Sequence, residues 1–393
     1  MTTPGPGDRA VDLTAELVAL DTTNPALVPG APGERPAVEH LCRRLSTSGF
    51  RTEVVEAAVP GRPSLLAWHT GPRPGRTLVL DGHLDVVGAG AMPDPFGPRV
   101  VGDRMTGRGT CDMKAGVAAM VVAAEESARR RTPGTVVLAL VADEEHDSIG
   151  TEAVLPALSR LGLAPDGCIV GEPTGLDLAA AHRGYAVVEV VLRGTAAHSS
   201  QPDLGSNALT HLGRLLGRIE DADTELRTRP AHPVVGHGSW AATVAHAGEA
   251  PFTVPDLATT LLERRTVPGE SAAAALVDVR EMLAALTAAD PTVSGLARLV
   301  TWRDAWELGN DAATAGLLES LQGALARHGG PAAAQVGFPY WMESAMWQAA
   351  GIPTVVCGPA GGGLHADDEW VELAQVRSYA GALVDVVQDF CGG

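Results

Sequence analysis

Positive charge is in short supply in this sequence. Its 29 lysine and arginine residues face 47 acidic ones, a formal charge of −18, and lysine itself occurs once, at Lys114. So acidic a chain is a poor match for nucleic acid or an anionic membrane, and neither is expected as a partner. Cysteine is scarce as well: Cys42, Cys111, Cys168, Cys357 and Cys391 are scattered, odd in number and form no Cys-x-x-Cys. That argues against a disulfide framework and a thiolate metal site, and it fits a reduced, cytoplasmic setting. No apolar run approaches the ~18 residues of a membrane span, and the opening MTTPGPGDRA lacks the apolar core of a signal peptide. Internal repeats and low-complexity linkers are also missing. The preference for arginine over lysine, with much alanine and glycine, reads as codon usage rather than function. What remains is a chain of 393 residues, 45% hydrophobic, enough for two domains and a large core.

What is present is organised around residues 78–114. An apolar run at 78–80 reads as a buried strand ending in Asp81-Gly82-His83-Leu84-Asp85, which puts a histidine and a carboxylate where strand gives way to loop. Asp112 follows in GRGTCDMK, ahead of a helical pattern over residues 115–128. A neutral imidazole can bind Zn²⁺, Asp85 can hold the other ring nitrogen in the right tautomer, and Asp112 can supply oxygen. Each residue alone also has a plainer reading: a lone histidine at a strand end is more often only hydrogen-bonded, and Asp112 suits a helix N-cap. Three further apolar runs shift the balance. Residues 136–141 lead into Asp143-Glu144-Glu145, 168–170 into Gly171-Glu172-Pro173-Thr174, and 353–357 through glycine-rich 358–363 to His365. Four strands would then each deliver an acid or a histidine at the C-terminal end, where parallel sheets keep their sites. The glycine-rich loop lacks the Lys-Ser/Thr of a P-loop and reads as a turn carrying His365. Glu369 reads as a charge at a helix N-terminus rather than as a ligand.

Taken as a set, His83-x-Asp85, GRGTCDMK, Asp143-Glu144-Glu145, GEPT, RGYAVVEVVLRGTAAHSS around His198 and the late His365 resemble the co-catalytic di-zinc amidohydrolases. That family includes aminoacylase, acetylornithine deacetylase, succinyl-diaminopimelate desuccinylase and the glutamate-releasing carboxypeptidases. The resemblance covers almost the whole chain, in the family's order. It implies two Zn²⁺ per subunit, with Co²⁺ or Mn²⁺ also compatible with oxygen and nitrogen ligands. Asp112 would bridge the ions, His83 and Glu172 would complete one set, and Glu145 and His365 the other. Glu144 is assigned as general base, because neighbouring side chains on an extended strand point to opposite sides; a solvated acidic turn is the alternative.

The same resemblance implies that His198 stabilises an oxyanion in a partner subunit's site, which requires a homodimer, and that Arg265 binds a substrate carboxylate. Its neighbour Arg264 could take that role, or either could face solvent. The implied reaction is metal-dependent hydrolysis of an amide in a small-molecule N-acylamino acid or dipeptide-like substrate. A specialised-pathway hydrolase or condensing enzyme on the same site is the alternative. A non-catalytic binding homologue is a third reading, against which the retention of every ligand and Glu144 speaks. One departure stands out: relatives carry a Thr-Asp pair where this chain has Trp341-Met342-Glu343-Ser344.

The expected fold class is α/β, a zinc-peptidase-like catalytic domain with a mixed, mostly parallel sheet between helices. Residues 1–182 and 304–393 would form it, with helices over 10–20, 37–48 and 311–328, a Pro/Gly loop over 25–36, strands around 52–59 and 64–68, and a structural turn at Asp94-Pro95-Phe96. From residue 183 the order becomes β-α-β-β-α-β, with strands at 187–192, 240–245 and 258–264 and helices at 208–219 and 271–284. This suggests a small inserted α+β, ferredoxin-like domain over 183–303, which the resemblance makes the dimerisation or lid domain.

Overall fold

The computed structural model describes residues 4–330 and 333–393. Their contacts divide them into two compact units. One takes the described residues up to Ala179 together with those of Leu308–Val336 and Met342–Gly393; the other takes Ala180–Glu307 and the short segment Gly337–Trp341.

The first unit is built on a six-stranded sheet in the order Arg51–Glu56, Pro63–Thr70, Thr135–Val141, Thr77–His83, Gly167–Val170 and Thr354–Val356. The last four run parallel, and the first two pairings are antiparallel, so the sheet is mixed and mostly parallel as expected. Thr77–His83 and Thr135–Val141 are buried on both faces after their first residue. Their uninterrupted apolar sequence suits a parallel sheet covered by helices on both sides. Ala115–Arg130 packs with Pro6–Val18 and Leu373–Gly392, and Ala312–Arg327 packs on Leu373–Gly392. The run AGVAAMVVAA lets Ala115–Arg130 sit buried all round over its first ten residues, since small side chains allow close approach. A second, antiparallel sheet orders Gly361–Gly362, Trp370–Glu372, Arg104–Thr106 and Arg99–Val101, and so joins the late loop bearing His365 to the approach of Asp112. Asp94 to Phe96 forms the expected turn, where the Gly97 N–H donates to Asp94 O at 3.0 Å and the Arg108 N–H to Pro95 O at 2.8 Å.

The second unit carries an antiparallel four-stranded sheet in the order Ser239–Ala247, Leu257–Thr266, Gly184–Arg193 and Ser294–Arg303. Chain order is β-α-β-β-α-β, with Ala208–Thr228 and Ala275–Ala289 as the helices. Ala186, Val188, Val190 and Leu192 alternate along GYAVVEVVLR and bury against Leu212, Leu215, Val279 and Leu283. Period-two alternation with helices on one face is what a half-covered antiparallel sheet requires. Among the described residues no helix is long and apolar enough to cross a membrane.

Candidate metal centre

Four parallel strands of the first unit end at one edge, and the acids and histidines collect there. His83 closes Thr77–His83 and is buried. Its Nε2 lies 3.0 Å from Asp112 Oδ1 and 3.8 Å from Glu172 Oε1. The other Asp112 oxygen, Oδ2, lies 3.4 Å from His365 Nε2, which is itself 3.0 Å from Glu145 Oε2. Asp112 thus stands between two imidazoles with one oxygen toward each. Glu144 completes the cluster: one donor atom each from His83, Glu144 and Glu172 lie within 4.8 Å of one another, as do those of His83, Asp112 and Glu145. Asp143 (φ 69°) and His365 (φ 61°) occupy the left-handed region, a conformation that side chains hold mainly where the surroundings impose it.

Behind this cluster a buried network fixes the acidic turn. Asp85 Oδ1 accepts from the Glu144 N–H at 3.1 Å and Oδ2 from the Glu145 N–H at 3.2 Å. The Asn24 side chain donates to Asp85 Oδ2 at 2.8 Å and to Asp143 Oδ1 at 2.9 Å, and Arg62 pairs with both Asp143 and Glu34. His83 Nδ1 makes its hydrogen bond, 3.0 Å, to the main-chain carbonyl of Asp85, while the Asp85 carboxylate is 3.6 Å away. The tautomer is therefore set by a backbone oxygen, and the Asp85 side chain serves the amides of Glu144 and Glu145 instead. Asn24, in the turn DTTNP, is a site residue that sequence reading did not single out.

The electrostatics are those of an acid-rich pocket. Burial would raise Asp112, but His365 and His83 override it and hold it well below the usual carboxylate range. Burial pushes Glu145 up to about 7, with help from Asp112. Burial likewise raises Glu144, with the charge of Glu145 adding to it, and Glu172, with the charge of Glu144 adding to it. Hydrogen bonds to Asp112 and Glu145 lift His365 to about 10. Glu172 Oε1 is buried without a hydrogen-bond partner. Crowded carboxylates, two imidazoles and an unpartnered inward oxygen form a hard, oxygen-rich donor set, and that set fits divalent cations. The lone lysine, Lys114, is buried nearby and donates to the Leu20 carbonyl at 2.8 Å.

One reading from the sequence changes. Glu369 is not a charge at a helix N-terminus: the helix begins only at Leu373, after the strand Trp370–Glu372. Glu369 is buried and accepts from Arg108 and from the amides of Gly109, Cys111 and Asp112. Glu343 is also buried; its Oε1 accepts from Thr151 Oγ1 at 2.5 Å, and its charge is felt by Glu144 and Glu172. In the second unit, His198 is exposed on the short strand Ala197–His198, and its Nδ1 accepts from the Ser200 N–H at 3.2 Å. Arg264 is buried and paired with Glu270, whereas the half-buried Arg265 pairs with Glu263 at 2.6 Å and lies over Tyr185.

Fold and cluster together define a class: an α/β protein with a candidate two-cation centre at the carboxyl edge of a mixed sheet. Residues 79–389 match the model of Peptidase family M20/M25/M40, and the chain belongs to that family, in agreement with the resemblance read from its motifs. It is 30% identical over 391 residues to acetylornithine deacetylase of Myxococcus xanthus, with 96% of each chain covered. It is 35% identical over 229 residues to succinyl-diaminopimelate desuccinylase of Cereibacter sphaeroides, a match spanning 56% of this chain and 58% of that protein's length. An M20 family metallo-carboxypeptidase of Sulfolobus solfataricus has the same fold, with a TM-score of 0.77 over 97% of this chain and 99% of that one at 16% identity.

Proposed function

We propose that this chain is a metal-dependent amidohydrolase that cleaves the amide of an N-acylamino acid or dipeptide-like substrate. The observation that carries the proposal is the placement of Asp112, with Oδ1 3.0 Å from His83 and Oδ2 3.4 Å from His365. In this reading His83 and Glu172 would hold one cation, Glu145 and His365 the other, and Asp112 both; Zn²⁺, Co²⁺ and Mn²⁺ all suit such donors. When bound, the pair would polarise the amide carbonyl and make a water acidic enough to attack at neutral pH.

The remaining work falls to side chains. Glu144, beside His83 and Glu172, takes a proton from the attacking water onto a carboxylate oxygen. It then returns that proton to the departing nitrogen as the carbon–nitrogen bond breaks, giving a carboxylic acid and an amine. A base raised above the ordinary carboxylate range by burial is better matched to this task than an exposed one. Asp85 keeps Glu144 and Glu145 in place through their amides. His198 Nδ1 is engaged by Ser200, whose N–H lies at 3.2 Å and whose Oγ lies at 2.7 Å, and the ring proton put to use is assigned to Nε2. That proton suits donation to an oxyanion, and we assign the role across a homodimer. Arg265, with its planar fork, is assigned to the substrate carboxylate.

Support comes from the match to the family and from relatives named as a desuccinylase and a deacetylase. The test is amine release from a panel of N-acetyl, N-succinyl and peptidyl amino acids, before and after treatment with a chelator. Release from at least one member, lost on chelation and restored by added metal, is expected; release unaffected by chelation would sink the proposal.

A further inference from the structure

Glu369 is surrounded by donors that tie it to one candidate ligand, and its partner Arg108 leads to another. Its Oε2 accepts from Arg108 Nη1 at 2.8 Å and from the Gly109 N–H at 2.9 Å; its Oε1 accepts from the Cys111 N–H at 2.8 Å and the Asp112 N–H at 3.1 Å. Both side chains of the pair are 1% exposed. A buried ion pair contributes little net stability, because desolvating two charges offsets most of their attraction. What it does impose is geometry. Asp112 breaks the short helical turn Thr110–Lys114 with a non-helical φ of −119° and ψ of 97°, and Gly109 just before that turn is left-handed at φ 82°. Such a segment offers its amides no regular ladder, and the Glu369 carboxylate supplies the acceptors instead.

The pair also reaches the other histidine loop. Arg108 Nη2 lies 3.5 Å from the His365 carbonyl, and the Gly107 N–H donates to the Glu369 carbonyl at 3.2 Å. Directly after Glu369, Trp370 pairs with Thr106 and Val371 with Met105. One ion pair therefore touches the backbone of both Asp112 and His365, which face each other at 3.4 Å.

We propose that Arg108 and Glu369 are positioning residues, a clamp that fixes the separation of Asp112 from His365 before any metal arrives. The inference rests on reading the cluster as a metal centre, and it adds the device that pre-organises it. Loss of the groups that orient metal ligands typically weakens metal binding by about 10–100-fold.

The test is Zn²⁺ affinity by competition with a chelator in wild type, Glu369→Gln and Arg108→Lys, for variants that keep the wild-type circular dichroism. Alongside it, hydrogen exchange of metal-free wild type is read at the amides of Gly109, Cys111 and Asp112. Expected are affinities about 10–100-fold weaker in both variants, and amides already protected without metal. Wild-type affinity in the folded variants would overturn the clamp while leaving the metal centre standing. Should both variants fail to fold, the exchange result decides: amides protected only after Zn²⁺ is added would contradict pre-organisation. A wild-type chain that takes up no Zn²⁺ would remove the metal centre and the clamp together.

Discussion

The two units bury different things. Among the described residues every buried carboxylate belongs to the first unit, including Glu34, Asp81, Asp85, Asp143, Glu172, Glu343 and Glu369. The second unit packs Val188, Val190, Leu215, Ile219, Val279 and Leu283 into an apolar core, and its buried ionisable groups are His182, His211 and Arg264. Burying a carboxylate costs several kcal/mol unless it is paired, hydrogen-bonded or bound to a cation, roughly the same scale as a domain's whole stability. A domain that only has to fold avoids it. The first unit accepts that cost many times over, and the second buries no carboxylate among its described residues; the contrast says where the cation-binding acids are kept.

That contrast can be broken from either side. The largest effect should come from Glu144→Gln, which is expected to lower amine release by about 10²–10⁴-fold while metal content, read by elemental analysis, stays at the wild-type level. Normal turnover would remove Glu144 from the role of base. His198→Ala, in the second unit, should cost about 10²–10³-fold in kcat with unchanged metal content; a variant that loses metal instead would make His198 a ligand.

A third effect is on pH. In the metal-free site at neutral pH, Glu145, raised to about 7 chiefly by burial, is protonated in part, and His365, raised to about 10 by its hydrogen bonds to Asp112 and Glu145, holds its proton. A cation must displace those protons, so metal affinity should rise with pH, by about tenfold per unit for each proton released. Chelator competition between about pH 6 and about pH 8 reads the slope, and a flat profile would show that these groups do not bind the metal. The smallest effect belongs to the apolar core of the second unit. Ile219→Val should lower unfolding stability by about 0.5–1.5 kcal/mol in a denaturant titration and leave metal content and turnover unmoved.

The same contrast decides what was legible in the sequence. TVVLALV and GYAVVEVVLR announce their strands because burial on two faces writes an unbroken apolar run and burial on one face writes alternation. The helix Ala208–Thr228 outruns the expected 208–219 because EDADTELRT buries only Leu226, so the apolar signal fades while pairs such as Arg227 with Asp223 continue the helix. His83, Asp112, Glu145, Glu172 and His365 could be picked out as candidates because each follows a recognisable strand or motif. Asn24 and Glu369 could not. Asn24 acts on Asp85 and Asp143, 61 and 119 residues away, and Glu369 meets Arg108 across 261 residues. Contacts of that kind leave no period or spacing in the chain, and an isolated glutamate near a helix reads as an ordinary surface charge.

The central claim is that the acids and histidines at this sheet edge exist to hold a pair of cations. Anomalous diffraction at the zinc absorption edge, from crystals grown with Zn²⁺, addresses it most directly. The account predicts two peaks flanking Asp112, one beside His83 and Glu172 and the other beside Glu145 and His365; no peak there, or Zn²⁺ bound only elsewhere on the chain, would contradict it.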